Sequence, residues 1–143
     1  MKIVVIEPLG VEETLLREIA EQKLGSGHEL TIYSSRTADP GQLIARGQDA
    51  DIIALANLPF PAEVIRGCEK LQMLSVAFTG VDHIALPACR ERGIAVCNCA
   101  GYSTAAVADL VFGLLISLYR RIPACNTVVR REGTKDGLIG FEL

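Results

Sequence analysis

The sequence carries little excess charge and no apolar run long enough to cross a membrane. Its 143 residues hold 14 Lys and Arg against 17 Asp and Glu, a formal net charge of -3. Basic residues cluster only as two arginine pairs, at 120–121 and 130–131, so nothing indicates the basic stripe of a nucleic-acid-binding protein. The longest apolar stretch, 105–119, is interrupted by Asp109 and is too short to span a bilayer comfortably. We therefore expect neither a nucleic acid nor a membrane as partner.

Metal ligands and disulfide partners are also scarce. The one C-x-C, Cys97-Asn98-Cys99, has no second pair, and His28 and His83 are the only histidines, which argues against a zinc site. The cysteine count is odd, and the N-terminal apolar run is too short for a signal peptide. We expect a cytoplasmic protein with reduced thiols that act as small buried hydrophobes. The five cysteines are Cys68, Cys89, Cys97, Cys99 and Cys125.

The remaining composition is that of a folded domain. Half of the residues are hydrophobic and 22% are charged, and 143 residues suffice for a sizeable core. Short β-rich runs alternate with helical patterns. The patterns predict strands at 2–7, 29–33, 51–55, 73–78 and 94–97, and helices at 11–23, 42–46, 61–67 and 84–92. A long helix is predicted from Ser103 or Thr104 to Tyr119, followed by a charged tail that contains glycine.

Alternating strands and amphipathic helices predict an α/β fold, a doubly wound open parallel sheet of about five strands. Such sheets bind ligands outside the carboxyl ends of their strands, near a topological switch point. Three loops follow predicted strands and attract attention for this reason. They are 56–60, 77–82 and 98–103.

The loop after the fourth predicted strand has two interpretations. Gly80 permits a positive φ or a close backbone approach, and the N–H groups of 78–81 would then face a carboxylate or phosphate. Alternatively this is a plain turn in which Asp82 caps the next helix, which the spacing alone favours. His83 has a pKa suited to a general base, but a lone histidine beside a cap residue is more often structural.

The third loop leads into the long helix. Ser103 or Thr104 can cap that helix, while Tyr102 and Ser103 can also reach a ligand at the sheet edge. Capping and packing are again favoured by spacing. The helix is apolar nearly all round, so a second domain or another subunit is expected to cover it. We therefore predict a homodimer, with exchange of the helix or the tail as one route.

Three stretches resemble the NAD-dependent D-isomer-specific 2-hydroxyacid dehydrogenases. "AFTGVDHIAL" is similar to the family's Gly-x-Gly-x-Asp-x-Ile/Val-Asp loop, with Phe78 in place of the first small residue. "GIAVCNCAGYSTAAVADLVFGLLISLYRRI" resembles the family's strand, loop and long helix, where Val107-Ala108-Asp109 matches Val-Ala-Glu. "DGLIGFEL" resembles the segment before the dinucleotide-binding domain. The resemblance covers almost the whole chain.

The resemblance implies a two-domain enzyme with a flavodoxin-like substrate domain and a Rossmann domain. Residues 1–102 would be the substrate-binding domain, and 103–143 the long helix and tail that lead into the NAD-binding domain. No G-x-G-x-x-G occurs in the sequence, and neither histidine matches the catalytic one. We therefore expect no catalytic residue in these residues, no activity from them alone and no cofactor bound to them.

The resemblance also implies roles for particular residues. Phe78, Thr79 and Gly80 would offer backbone N–H groups to the carboxylate of a 2-oxo or 2-hydroxy acid, and the loop from Asn57 to Phe60 would form the outer wall. Tyr102 and Ser103 would line the cleft. Thr79, Ser103 and Val107 would approach NAD or NADP in the whole enzyme.

Two other functions stay open at this point. The chain can be a free-standing flavodoxin-like binding or regulatory module without catalysis. A cysteine-dependent enzyme using Cys97 or Cys99 lacks any identifiable base partner.

Overall fold

The computed structural model describes residues 1–134 and 137–142, which form two compact units. The first unit, Met1–Ala100, contains every strand of the described chain, and the second begins at Gly101. Strands are β1 (Lys2–Val5), β2 (Glu29–Ile32), β3 (Ile52–Leu55), β4 (Met73–Val76) and β5 (Ala95–Asn98). Helices are α1 (Glu13–Leu24), α2 (Pro40–Gly47), α3 (Ala62–Gly67), α4 (Leu86–Glu91), α5 (Thr104–Tyr119) and α6 (Ile122–Arg130).

The five strands form one parallel sheet in the order β2-β1-β3-β4-β5. Each strand is short and rich in apolar or β-branched residues, as expected for strands covered on both faces. In the register Ile3 lies opposite Ile52, Ile53 opposite Leu74, and Leu74 opposite Val96. The predicted α/β fold with a parallel sheet of five strands is confirmed.

Alternate residues of the central strands point to a fully buried face of the sheet. Ile53, Leu55, Leu74 and Val76 are buried, while their neighbours in the same strands are partly exposed. The buried core on this face includes Leu43 of α2, Ile65 of α3 and Ala88 of α4. Because parallel crossovers are right-handed, the connection from β1 outward to β2 places α1 on the opposite face.

Two glycines bring α2 and α3 close to their neighbours. A Cβ on Gly67 would lie 2.7 Å from Cδ1 of Ile44, and one on Gly47 would lie 2.8 Å from Cδ1 of Ile53. A side chain at either position would have to displace a packed isoleucine. These contacts fix the layer of helices that supports the β3–α3 loop.

The second unit corrects part of the prediction. The segment after Tyr119 contains helix α6, where the sequence predicted only a tail. Proline is tolerated in the first helical turn, which is where Pro123 lies. Ser103 is the N-cap residue of α5, as the spacing suggested, but its side chain makes no capping hydrogen bond. Asp136 and Leu143 of the "DGLIGFEL" stretch lie outside the described residues.

Helix α5 is largely apolar, with Asp109 as its one charged residue, and none of its side chains is buried. Leu110, Phe112 and Leu114 all stand among the exposed large hydrophobic residues. Within residues 1–134 and 137–142, no helix is both long and apolar enough to span a membrane.

Candidate functional site

The candidate site lies at the carboxyl ends of β1, β3, β4 and β5. Chain connections leave β1 for β2 on one side, while β3, β4 and β5 follow on the other. The switch point therefore lies between β1 and β3, where open α/β sheets form a ligand crevice. The loop after β1 contacts the loop after β3 there, and the loop after β3 in turn contacts the loop after β4.

Glu7 is the buried carboxylate at the switch point. It lies two residues after the end of β1, and its side chain is 1% exposed. Its Oε1 accepts hydrogen bonds from the backbone N–H groups of Ala56, at 2.8 Å, and Leu58, at 2.9 Å. Its Oε2 lies 3.4 Å from Nε of Arg36. The buried charge is therefore satisfied, and it fixes the start of the β3–α3 loop.

A second arginine ties the same region together. Arg46 of α2 donates from Nη1 to the carbonyls of Ile6, at 3.0 Å, and Ser35, at 2.6 Å. Its guanidinium also lies 4.5 Å from the ring centroid of Tyr33, a cation–π contact. The loops after β1 and β2 are thus held by one side chain.

The β3–α3 loop alternates between the core and the surface. Leu58 and Phe60 are buried, whereas Asn57 and Pro59 are exposed. Phe60 also joins this loop to the next one. Its N–H donates to the carbonyl of His83 at 2.8 Å, and its carbonyl accepts from Ala85 N–H at 3.1 Å. Asn57 therefore stands exposed on a loop that is anchored at both ends.

The loop after β4 is tied to β5 through its carbonyl groups. The carbonyl of Phe78 accepts from Cys99 N–H at 3.1 Å. The carbonyl of Thr79 accepts from Nδ2 of Asn98 at 2.6 Å. Just before the loop, Ala77 N–H still pairs with β3 by donating to the carbonyl of Leu55 at 2.8 Å.

These two ties fix the directions of two N–H groups. No cis peptide bond occurs in the described chain, and in a trans peptide the N–H points opposite to the preceding carbonyl. Because the carbonyls of Phe78 and Thr79 face β5, the N–H groups of Thr79 and Gly80 point away from it. Neither N–H finds an acceptor within the described residues. Two adjacent, outward-facing donors of this kind suit an anion such as a carboxylate.

The N–H of Phe78 also lacks an acceptor in the part of the chain that the structure describes. The side chains of Phe78 and Thr79 are exposed, as is Gly80. No hydrogen bond from the side chain of Thr79 occurs among the described residues. All three predicted residues therefore lie on one accessible loop.

The structure overturns one interpretation of this loop. Asp82 does not cap the next helix, because α4 begins at Leu86 and its N-cap residue is Ala85. The intervening residues 82–85 are instead drawn toward Phe60 by the backbone pairing described above. Gly80 has no positive φ. A Cβ at that position would lie 2.9 Å from Oδ1 of Asp82, whose side chain is exposed, so Gly80 and the Asp82 carboxylate lie close together.

The two histidines lie in different parts of the first unit. Nε2 of His83 is buried and has no hydrogen-bond partner among the described residues. His28 lies beside Arg17 and Leu30, just before β2 and so at the amino end of the sheet. The prediction that neither is catalytic stays a prediction.

The five cysteines differ in exposure, and Cys125 is half-buried. Cys68 and Cys89 are buried, and burial raises both thiol pKa values, that of Cys68 to about 11. Cys97 and Cys99 are exposed, so the expectation that all cysteines are buried hydrophobes is wrong for this pair. Cys97 lies in the edge strand β5, and Cys99 directly follows that strand. No group of three or more metal-ligating side chains exists within the described residues.

Tyr102, Ser103 and Val107 belong to the second unit. Tyr102 and Val107 are exposed, and Ser103 is half-buried at the start of α5. Their proposed ligand contacts stay predictions.

Sequence reasoning missed Glu7 and Asn98. Both stand at or just beyond the carboxyl end of a strand, which is the position that signals a ligand loop in a parallel sheet. An acidic residue directly after the apolar run "KIVVI" was the available signal for Glu7. Asn98 stood inside a loop already under attention but carried no recognisable motif.

Comparison with known proteins identifies the family. The family model for "D-isomer specific 2-hydroxyacid dehydrogenase, catalytic domain" matches residues 3–136. The D-3-phosphoglycerate dehydrogenase of Methanocaldococcus jannaschii is 31% identical over 146 aligned residues, covering 100% of this chain and 26% of that protein. The glycerate dehydrogenase of Methylorubrum extorquens is 33% identical over 109 residues, covering 76% of this chain and 34% of that protein.

Solved structures agree with this assignment. An acyclic imino acid reductase in complex with NADPH and D-Arg superposes with a TM-score of 0.80 at 26% identity, covering 92% of this chain and 41% of that one. The NAD+-bound 3-phosphoglycerate dehydrogenase of Entamoeba histolytica gives 0.69 at 31% identity, covering 84% and 39%. This chain thus spans well under half the length of these relatives. It belongs to the D-isomer specific 2-hydroxyacid dehydrogenase family, within the catalytic-domain part of that family.

Proposed function

We propose that this chain is the substrate-binding part of an NAD(P)-dependent oxidoreductase that oxidises the CH–OH group of a D-2-hydroxy acid or reduces a 2-oxo acid. The observation that carries the proposal is the pair of unpaired N–H groups at Thr79 and Gly80, directed away from β5. Every substrate of this class carries a carboxylate beside the reacting carbon. Two backbone donors on a loop at the carboxyl end of a parallel strand suit that carboxylate.

We also propose roles for four other residues. The N–H of Phe78 adds a third donor on the same loop, and the exposed Asn57 lies on the neighbouring loop that Glu7 anchors. We also propose that Tyr102 and Ser103 are substrate-binding residues. The names of two relatives, D-3-phosphoglycerate dehydrogenase and glycerate dehydrogenase, support a small 2-hydroxy acid as substrate.

The described residues do not fit a dinucleotide by themselves. None of their β-strands is followed by a G-x-G-x-x-G turn, the feature that lets backbone N–H groups approach a pyrophosphate. In the whole enzyme we expect NAD or NADP to supply hydride transfer. This chain's contribution there is limited to Thr79, Ser103 and Val107, which we propose approach the cofactor.

We further propose that these residues alone carry no turnover and no bound cofactor. Nε2 of His83 is buried, so we do not propose His83 as the group that exchanges a proton with a substrate oxygen. A cytoplasmic location suits the five free cysteines, which persist as thiols in a reducing compartment. The homodimer remains our proposal for covering the apolar α5. Sedimentation that shows only monomer at high protein concentration would contradict it.

Titration of the ¹⁵N-labelled chain tests the proposed binding. With hydroxypyruvate or pyruvate, the amide resonances of Thr79 and Gly80 should shift and saturate. Hydroxyacetone, which lacks the carboxylate, should leave them in place, and sodium chloride at equal ionic strength controls for salt. Shifts confined to other loops, or none up to tens of millimolar, would refute the proposal.

A further inference from the structure

Two separate ties orient the donors of the β4–α4 loop, and they differ in kind. The carbonyl of Phe78 is held by a backbone group, Cys99 N–H. The carbonyl of Thr79 is held by a side chain, Nδ2 of Asn98, at 2.6 Å. Cys99 therefore fixes the peptide that carries Thr79 N–H, while Asn98 alone fixes the peptide that carries Gly80 N–H.

The second peptide needs such a tie. Rotation of a peptide plane is absorbed by ψ of the residue before it and φ of the residue after it. Here the residue after it is Gly80, which tolerates positive and negative φ almost equally. A rotated peptide would turn the Thr79 carbonyl toward the site in place of the Gly80 N–H, and a carbonyl oxygen repels an anion.

We propose that Asn98 is a positioning residue, which orients Gly80 N–H toward the substrate carboxylate by holding the carbonyl of Thr79. This inference rests on the proposed function. Asn98 itself faces solvent at the end of the edge strand β5 and belongs to no part of the core. Its side chain thus acts mainly on the direction of one peptide group and little on folding.

Three variants of the chain test the inference. Asn98→Ala removes the donor, and Asn98→Asp keeps the shape but replaces the donor with a charged acceptor. Gln72→Ala is the matched control, because Gln72 is an exposed amide whose Nε2 also donates to a neighbour, Oδ1 of Asp51, at 3.4 Å. Gln72 precedes β4 and so lies at the opposite end of the sheet.

The measurement combines ligand titration with a probe of the tie itself. We expect Asn98→Ala to bind hydroxypyruvate about five- to tenfold more weakly, the value of one modest hydrogen bond, and Asn98→Asp to bind more weakly still. The ¹³C resonance of the Thr79 carbonyl in the free protein should move in both variants and stay unchanged in Gln72→Ala. Thermal unfolding should shift by no more than about 4 °C.

The outcomes separate the two proposals. Absence of hydroxypyruvate binding by the unaltered chain overturns the proposed function, and this inference with it. Binding that Asn98→Ala leaves undiminished overturns this inference alone. An unfolded Asn98→Ala would also contradict it, because the side chain would then serve the fold and not the direction of one N–H.

Discussion

Glu7 offers the sharpest stability test in the molecule. Glu7→Gln keeps the size of the side chain and an oxygen that can accept from Ala56 and Leu58, but it removes the charge that faces Arg36. Glu7→Ala removes the acceptor altogether. The two variants therefore separate the value of the charge from the value of satisfying two buried N–H groups.

The expected magnitudes follow from these contacts. Hydrogen bonds to a charged acceptor contribute about 1.5–3 kcal/mol each, against about 0.5–1.5 for a neutral one. The Arg36 pair adds roughly 0–1 kcal/mol, since Arg36 is half exposed. Because Gln avoids the cost of burying a charge, we expect Glu7→Gln to lose about 1–2 kcal/mol. Glu7→Ala leaves two buried N–H groups without an acceptor, at a cost of about 1–3 kcal/mol each. Its loss in the free energy of unfolding should therefore be about 4 kcal/mol.

Urea unfolding followed by far-UV circular dichroism measures both variants. Glu13→Gln provides the control, because Glu13 pairs with Arg17 at 2.7 Å but both side chains are half exposed. That control should change the free energy of unfolding by less than about 0.5 kcal/mol. Equal losses for Glu7→Gln and Glu7→Ala, or losses no larger than the control's, would refute the account of the β3–α3 loop.

Other predictions concern packing and thiols. Gly67→Ala should destabilise by about 1–3 kcal/mol in urea unfolding, because its Cβ would meet Ile44; a neutral result would mean that Ile44 moves freely. The Cβ added by Gly113→Ala would have no atom within 4 Å. This variant should stabilise α5 by up to about 1 kcal/mol, seen as a higher unfolding temperature. Ellman's reagent should titrate Cys97 and Cys99 rapidly in the native chain, and Cys68 and Cys89 only after unfolding; fast reaction of Cys68 and Cys89 in the native chain would contradict their burial. Burial raises the pKa of Cys68 from 9.0 to about 11, so the unfolded state ionises first. The stability that this thiol contributes should be complete below pH 9 and be lost as pH rises toward 11, and Cys68→Ala should flatten that part of the pH profile.

The sheet could be predicted from the sequence because its signals are local. Runs such as "KIVVI" and "DIIAL" are β-rich and bounded by turn residues, so five strands were found with ends wrong by one or two residues. Residues just beyond the carboxyl end of a strand, such as Phe78, continue its apolar pattern but not its hydrogen bonds to the neighbouring strands, so the predicted strand runs too long. Helix α6 was missed because it contains residues of low helix propensity and is flanked by charged residues and glycine. The low-propensity residues are Pro123, Asn126, Thr127, Val128 and Val129.

The site was predictable only in part, for a different physical reason. Thr79 and Gly80 lie in a motif, but the direction of their N–H groups depends on Cys99 and Asn98, about twenty residues further along the chain. Asp82 looked like a cap because helix ends are judged from local spacing. The pairing of Phe60 with His83 and Ala85, which delays the start of α4, comes from another strand's loop and has no local signal.

The same reasoning explains why the two ties at the β4–α4 loop should respond differently to mutation. A backbone donor such as Cys99 N–H survives every substitution except proline, so the direction of Thr79 N–H is set by the fold. A side-chain donor such as Asn98 is exchangeable, so the direction of Gly80 N–H is set by one residue type. If the loop binds a carboxylate, its affinity should therefore depend on residue 98 far more than on residue 99. This asymmetry requires two results. Cys99→Ala should bind hydroxypyruvate as the unaltered chain does, and Asn98→Ala should bind it more weakly.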